Sequence, residues 1–221
     1  SIVPELGLAG VDFIELGIPF SDPMADGEVI QESSKIALEN GMNLGLLFEQ
    51  VATIRKTAAI PIVLMGYFNP ILQYGIANFV NKCSALEIDG VLIPDLPIEV
   101  YQKEYKSLFD KKEVPMIFMV TPDSSLKILQ KIEAEPSPFI YLVAKSAITG
   151  GKNGLSNQTT DRLKKFGQIP HKKSIIVGFG IHDKKSFEQS TEYFSGGIVG
   201  SEFIRQLQKT NDIKTFVEEF Y

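Results

Sequence analysis

Two carboxylates stand where acid and base chemistry would need them. Glu15 is embedded in an apolar run with Phe13, Ile14 and Leu16 around it. Loss of water there raises a carboxyl pKa toward neutrality, so the group can both give and take a proton near pH 7. Asp26 lies in the polar segment that follows. In such a setting it should stay ionised and can stabilise a positive charge that develops during a reaction. Each has a plainer reading as well: Glu15 as a buried structural carboxylate held by backbone donors, Asp26 as a turn or cap residue.

Glycines near the C-terminus carry a second signal. GFGI at 178 to 181 and the pair Gly200 and Ser201 each place backbone N–H groups, unobstructed by side chains, near the start of a following helix. Gly178, Gly180, Gly200 and Ser201 are thereby candidates for holding a phosphate. Glycine at a strand end also serves plain turn geometry. Lys145 opens a rival chemistry, since a lysine in apolar surroundings can form a Schiff base with a carbonyl; a solvated rim charge is the alternative. His171 and His182 sit in a PHKK loop and beside Asp183, and without a GxSxG elbow neither belongs to a hydrolytic triad. No HExxH or CxxC occurs, so catalysis without a metal is expected.

These groups need a frame, and the frame is legible. Nearly continuous apolar runs begin at 11, 61, 90, 115, 139, 174 and 196, as expected of strands covered on both faces in a parallel sheet. Stretches of helical spacing lie between them, from Leu44, Gly75 and Thr159; Cys83, spaced four from Phe79 and three from Leu86, reads as core. Repeated βα units at intervals of about 30 residues predict a single (β/α)8 TIM-barrel domain over residues 1–221. Seven visible strands leave it one short. Because SIVPELGLAG looks like the tail of a helix, the first strand and part of its helix are expected to be missing from the N-terminus. Polar or glycine residues (Glu15, Asn69, Asp95, Thr121, Lys145, Gly178, Gly200) close successive runs, which in a barrel gathers them on the catalytic rim. Residues 18–34 and 146–160 read as long loops, of the kind that serve as lids.

The 221 residues carry 22 Lys plus Arg against 27 Asp plus Glu, a net charge of -5. That sets aside a basic nucleic-acid footprint. With 44% hydrophobic residues, a packed core rather than disorder is expected. The single cysteine excludes an internal disulfide and suggests a reducing, cytoplasmic setting. No run approaches the roughly 20 apolar residues of a membrane span.

Longer motifs carry a resemblance. FIELGIPFSDPMADG (13 to 27), PIVLMGYFNP, GVLIPDLP, FIYLVAKSAITG, VGFGI and GIVGS, in this order and along essentially the whole chain, resemble the alpha subunit family of tryptophan synthase. The resemblance implies reversible retro-aldol cleavage of indole-3-glycerol phosphate into indole and glyceraldehyde 3-phosphate, with Glu15 transferring protons and Asp26 meeting the indole N–H. It implies Tyr141 lining the site close to Glu15, Gly150, Gly180, Gly200 and Ser201 holding the phosphate, and Met65, Leu92 and Met119 walling the indole. Thr149 would lie in a closing loop. Asp22, Pro23, Asn69 and Pro97 would face a beta subunit, which carries pyridoxal phosphate in an alpha-beta-beta-alpha heterotetramer, while this chain needs no cofactor. Two departures from the family pattern, Glu28 in place of proline and AITG at 147 to 150 in place of GVTG, are expected to alter loop ordering or the signal to a partner. A non-catalytic activating subunit is the competing reading.

Overall fold

A computed structural model of the protein describes residues 2–24, 26–143, 157–178, 180–209 and 212–220. These fall into two compact units, Ser1–Ile117 and Phe118–Tyr221. The first contains α1 (Ile2–Leu8), β1 (Ile14–Gly17), α2 (Glu28–Glu39), α3 (Leu44–Ile54), β2 (Ile62–Met65), α4 (Phe68–Tyr74), α5 (Ile76–Ala85), β3 (Gly90–Leu92), α6 (Ile98–Val100), a π-helical turn (Tyr101–Tyr105), α7 (Lys106–Lys111) and the start of β4 (Met116–Val120). The second contains the rest of β4, then α8 (Leu126–Glu133), β5 (Ile140–Val143), α9 (Asn157–Gly167), β6 (Ile175–Gly178), α10 (Lys184–Thr191), β7 (Gly196–Gly197), α11 (Ser201–Lys209) and α12 (Ile213–Glu218).

Every strand pairing among the described residues is parallel. In the first unit β1 pairs with β2, β2 with β3, and β3 with β4. In the second, β4 pairs with β5, β5 with β6, and β6 with β7. All seven strands lie within the apolar runs read from the sequence, and helices separate them as the βα pattern demands. The opening residues form a helix, as SIVPELGLAG suggested.

Local chemistry accounts for the helices of the first unit. Asn43 caps α3 by accepting from the Leu46 amide at 3.1 Å, and the helix buries Leu44, Leu47, Phe48 and Val51, the 3.6-residue stripe of a core-facing helix. Helix α5 buries Phe79, Val80 and Cys83, and burial pushes the Cys83 thiol far up, as an inert core cysteine should behave. At the N-terminal ends of the strands, Arg55 donates to the carbonyls of Ile60 at 2.7 Å and Leu86 at 3.1 Å and to Asp89 at 2.8 Å, while Asp89 also accepts from the Ile62 amide at 2.8 Å. This latch sets the entry of β2.

One expectation is corrected. The sequence reads residues 18–34 and 146–160 as long loops, yet the chain is helical from Glu28 onward in the first and from Asn157 onward in the second. Beyond Gly27 there is neither glycine nor proline until Gly41, and EVIQESSKIALE has the spacing of an amphipathic helix.

In the second unit Ser125 caps α8 through the Ile128 amide at 3.3 Å, and Leu163 and Phe166 of α9 are buried. His171 lies against the Phe166 ring at 5.3 Å, and its Nε2 bonds the Phe166 carbonyl at 3.1 Å. Its ring thus serves packing within the second unit. No helix among the described residues is long and apolar enough to cross a membrane.

Candidate active site

Strand register assembles the first half of the candidate set. Gly17 pairs with Met65 and Met65 with Leu92; one layer earlier, Glu15 pairs with Val63 and Val63 with Gly90. Since residues two apart share a face and register partners point the same way, Glu15, Met65 and Leu92 lie on one sheet face of the first unit. Leu92 is fully buried. Glu15 is half-buried overall, but its Oε2 is shielded from water and has no hydrogen-bond partner among the described residues. Burial foremost, and then the negative charge of Asp26, push its carboxyl from the ordinary 4.5 to about 7. A carboxyl raised this far exchanges its proton near neutrality, and among the described residues no backbone donor holds that oxygen.

Asp26 is brought toward this strand end by a tightly laced segment. The Ile18 amide donates to the Met65 carbonyl at 2.7 Å and the Gly66 amide to the Leu92 carbonyl at 3.0 Å. Gly66 makes the approach feasible, because a Cβ on it would sit 2.6 Å from Cβ of Ile18. The chain then turns: the Asp26 amide donates to the Pro23 carbonyl at 3.0 Å, and Nε2 of Gln31, from α2, donates to the Asp26 carbonyl at 2.8 Å. Oδ2 of Asp26 accepts from the Tyr67 hydroxyl at 3.3 Å.

Asp26 differs from expectation in one respect. Burial raises its pKa above the usual value, and the Tyr67 hydroxyl pulls it back down. Asp26 is half-buried rather than fully wet. Tyr67 itself was missed. It is buried, its ring packs on Phe20 with centroids 5.4 Å apart, and it leads into α4, whose Phe68 amide is held by Asp95 at 2.8 Å. A phenol directly after the rim end of a strand, in PIVLMGY, was the available signal.

Of the residues expected to face a partner, Asp22, Asn69 and Pro97 are exposed, whereas Pro23 is buried. Asp22 accepts from the Ser21 hydroxyl. Glu28 is exposed as the first residue of α2. Lys145, Ala147, Thr149 and Gly150 lie outside the described residues.

In the second unit, Met119 pairs with Tyr141, Tyr141 with Ile176, and Ile176 with Gly196. Tyr141 is buried, and its ring fills the space in front of Gly178, where a Cβ would lie 2.0 Å from the phenolic oxygen. Gly178 was read as exposed backbone for an anion. Its hydrogen side chain instead leaves room for Tyr141. Gly180 adopts φ +83°, a conformation that glycine takes without strain, and its carbonyl accepts from His182 Nδ1 at 3.1 Å. The following helix, α10, has its start closed by Asp183, which accepts from the Ser186 amide at 2.7 Å. Gly200 and Ser201 sit at the start of α11, where the Gly200 carbonyl accepts from the Ile204 amide at 3.1 Å. First-turn amides of such a helix lack intrahelical partners and favour an anion.

Comparison with known proteins points one way. The family described as "Tryptophan synthase alpha chain" matches residues 1–221. The tryptophan synthase alpha chain of Flavobacterium psychrophilum is 46% identical over 222 residues, covering 100% of this chain and 88% of that relative. The one from Christiangramia forsetii is 44% identical, covering 99% and 86%. Among solved structures, a variant of the tryptophan synthase alpha-subunit from Pyrococcus furiosus superposes with a TM-score of 0.85 at 32% identity, covering 99% of this chain and 91% of that one. The tryptophan synthase complex from the same organism gives 0.83 at 31% identity with the same coverage. This likeness over nearly the whole chain places it in the α/β, TIM-barrel fold class.

Proposed function

The chain belongs to the tryptophan synthase alpha chain family, and on that premise we propose how its own residues carry the carbon–carbon lyase step of that family, the cleavage of indole-3-glycerol phosphate to indole and glyceraldehyde 3-phosphate. Breaking the bond between the ring and the glycerol chain requires three events. The ring carbon takes a proton, the ring nitrogen bears positive charge for a moment, and a side-chain hydroxyl loses its proton as the carbon–carbon bond electrons return to the ring. Glu15 is suited to the first and last. With a carboxyl pKa of about 7 it is present in both forms near neutrality, so it donates to the ring carbon and then, as carboxylate, takes the hydroxyl proton. No net proton is consumed. Asp26 supplies the fixed negative charge that the ring N–H meets while the nitrogen is cationic.

The observation that carries this reading is the shielded Oε2 of Glu15, without a hydrogen-bond partner among the described residues, next to the charge of Asp26. A structural carboxylate in such a place would have both oxygens satisfied. Met65 and Leu92, on the same sheet face, are apolar neighbours for an indole ring. In the second unit we assign Tyr141 and Met119 to the substrate's surroundings, and Gly180, Gly200 and Ser201 to its phosphate, with the α11 start as the donor set. Gly150 and Thr149 keep the roles their motif suggests, in phosphate binding and loop closure. The chemistry asks only for acid–base groups, so no cofactor on this chain enters it. Asp22, Asn69 and Pro97 present an exposed set that suits contact with a pyridoxal-phosphate-dependent beta subunit in an alpha-beta-beta-alpha assembly, in the cytoplasmic setting that the single cysteine suits.

Incubating the purified chain with indole-3-glycerol phosphate, alone and with a beta subunit, tests the reading. Native protein releases indole and glyceraldehyde 3-phosphate in equal amounts, and Asp26→Asn lowers kcat by roughly a hundredfold, as loss of a charge-stabilising group does. Indole release by Asp26→Asn at the native rate would remove Asp26 from the reaction.

A further inference from the structure

We propose that Tyr67 and Gln31 are positioning residues for the lyase reaction, the first fixing the carboxylate of Asp26 and the second its backbone, so that one carboxylate oxygen is left free to meet the ring N–H. The inference rests on the assignment of Asp26 made above and deepens it.

Asp26 lies on a turn, and a turn alone does not hold a side chain in one rotamer. Two elements reach over to it. From α2, Gln31 Nε2 donates to the Asp26 carbonyl at 2.8 Å and, more distantly, to the Pro23 carbonyl at 3.5 Å. It thereby ties the turn 23–26 to a helix. From the end of β2, the Tyr67 hydroxyl donates to Oδ2 of Asp26 at 3.3 Å.

Tyr67 is itself held firmly. Its ring packs on Phe20, its backbone leads into α4, and the first amide of α4 is bonded to Asp95. A phenol fixed in this way defines the direction of the carboxylate it bonds. With Oδ2 engaged, Oδ1 remains as the acceptor for a ring N–H. Geometry set before the substrate arrives does not have to be reached during the reaction, which is how remote hydrogen bonds contribute to rate. The same bond stabilises the charged form of Asp26 and opposes the effect of its burial.

Tyr67→Phe keeps the ring on Phe20 and removes only the hydroxyl, and Gln31→Met keeps the length of the side chain and removes the donor. Each is expected to lower kcat for indole release by about tenfold, more than it raises KM, as loss of a hydrogen bond to a charged or ordered acceptor does. In Tyr67→Phe, the acidic limb of the kcat/KM profile that Asp26→Asn abolishes moves to higher pH. In an Asp26→Asn background Tyr67→Phe adds less than about twofold, because its effect passes through Asp26. Native kcat and an unmoved limb in Tyr67→Phe, together with native kcat in Gln31→Met, overturn the proposal and leave the role of Asp26 standing. An equally large loss from Tyr67→Phe in the Asp26→Asn background also overturns it, since Tyr67 then acts on its own. Absence of indole release by native protein, or native turnover in Asp26→Asn, instead overturns the underlying assignment.

Discussion

Glu15 pairs reactivity with a cost in stability. Its folded-state carboxyl titrates at about 7 against an ordinary 4.5, so the folded chain holds this proton more tightly than the unfolded chain does. Below about pH 4.5 both states are protonated and the site is neutral. As pH rises from about 4.5 to 7 the unfolded state ionises first, and stability falls; above 7 the loss is complete. The shift corresponds to an upper bound on the order of 3 kcal/mol, part of which is the repulsion from Asp26. Glu15→Gln removes the titration. Urea unfolding at pH 5 and pH 8 should show native protein losing stability between the two and the variant losing less. An identical pH slope in both would mean that Glu15 ionises as an ordinary surface carboxylate.

At the scale of elements, the candidate groups depend on close backbone approaches that only glycine permits. Gly66→Ala sets a methyl group against Ile18 Cβ at 2.6 Å, and both atoms belong to backbone-anchored positions. The segment leading to Asp26 must then move away from Tyr67. We expect a loss of about 1–3 kcal/mol in urea unfolding, together with reduced indole release. Gly178→Ala faces the Tyr141 ring and should displace it at similar cost; native stability and turnover in either variant would show that the packing yields freely. Asp95→Ala frees the Phe68 amide and should lower stability by about 1 kcal/mol, the usual worth of a helix cap.

Much of this was legible in sequence. Each apolar run of five to eight residues marked a strand, and Glu15 was conspicuous because a carboxylate is expensive within one. Three things were hidden. The helical half of residues 18–34 was obscured by the Ser-, Asp- and Pro-rich half before it. Tyr67 reads as core in an apolar run, and only its neighbour across the turn reveals a function. Gly178 reads as loop chemistry, because the demand on it comes from a side chain on another strand, which no local pattern records.

At the scale of the whole molecule, sequence likeness extends over residues 1–221 and structural likeness over 99% of the chain, so function is best measured on all of these residues together. Exposed Asp22, Asn69 and Pro97 should matter to partner response more than to basal chemistry. Replacing Asn69 with alanine is expected to reduce stimulation of indole release by a beta subunit while leaving the chain's stability within about 0.5 kcal/mol. An unchanged stimulation would move the contact elsewhere. The account depends most on Glu15 as the proton carrier. Its most direct test is kcat/KM for indole release from indole-3-glycerol phosphate by native protein and by Glu15→Gln, each with a beta subunit present. A fall of at least about 2–3 kcal/mol in transition-state stabilisation is predicted for the variant, the usual contribution of an acid–base group. Turnover by Glu15→Gln at the native rate would contradict it.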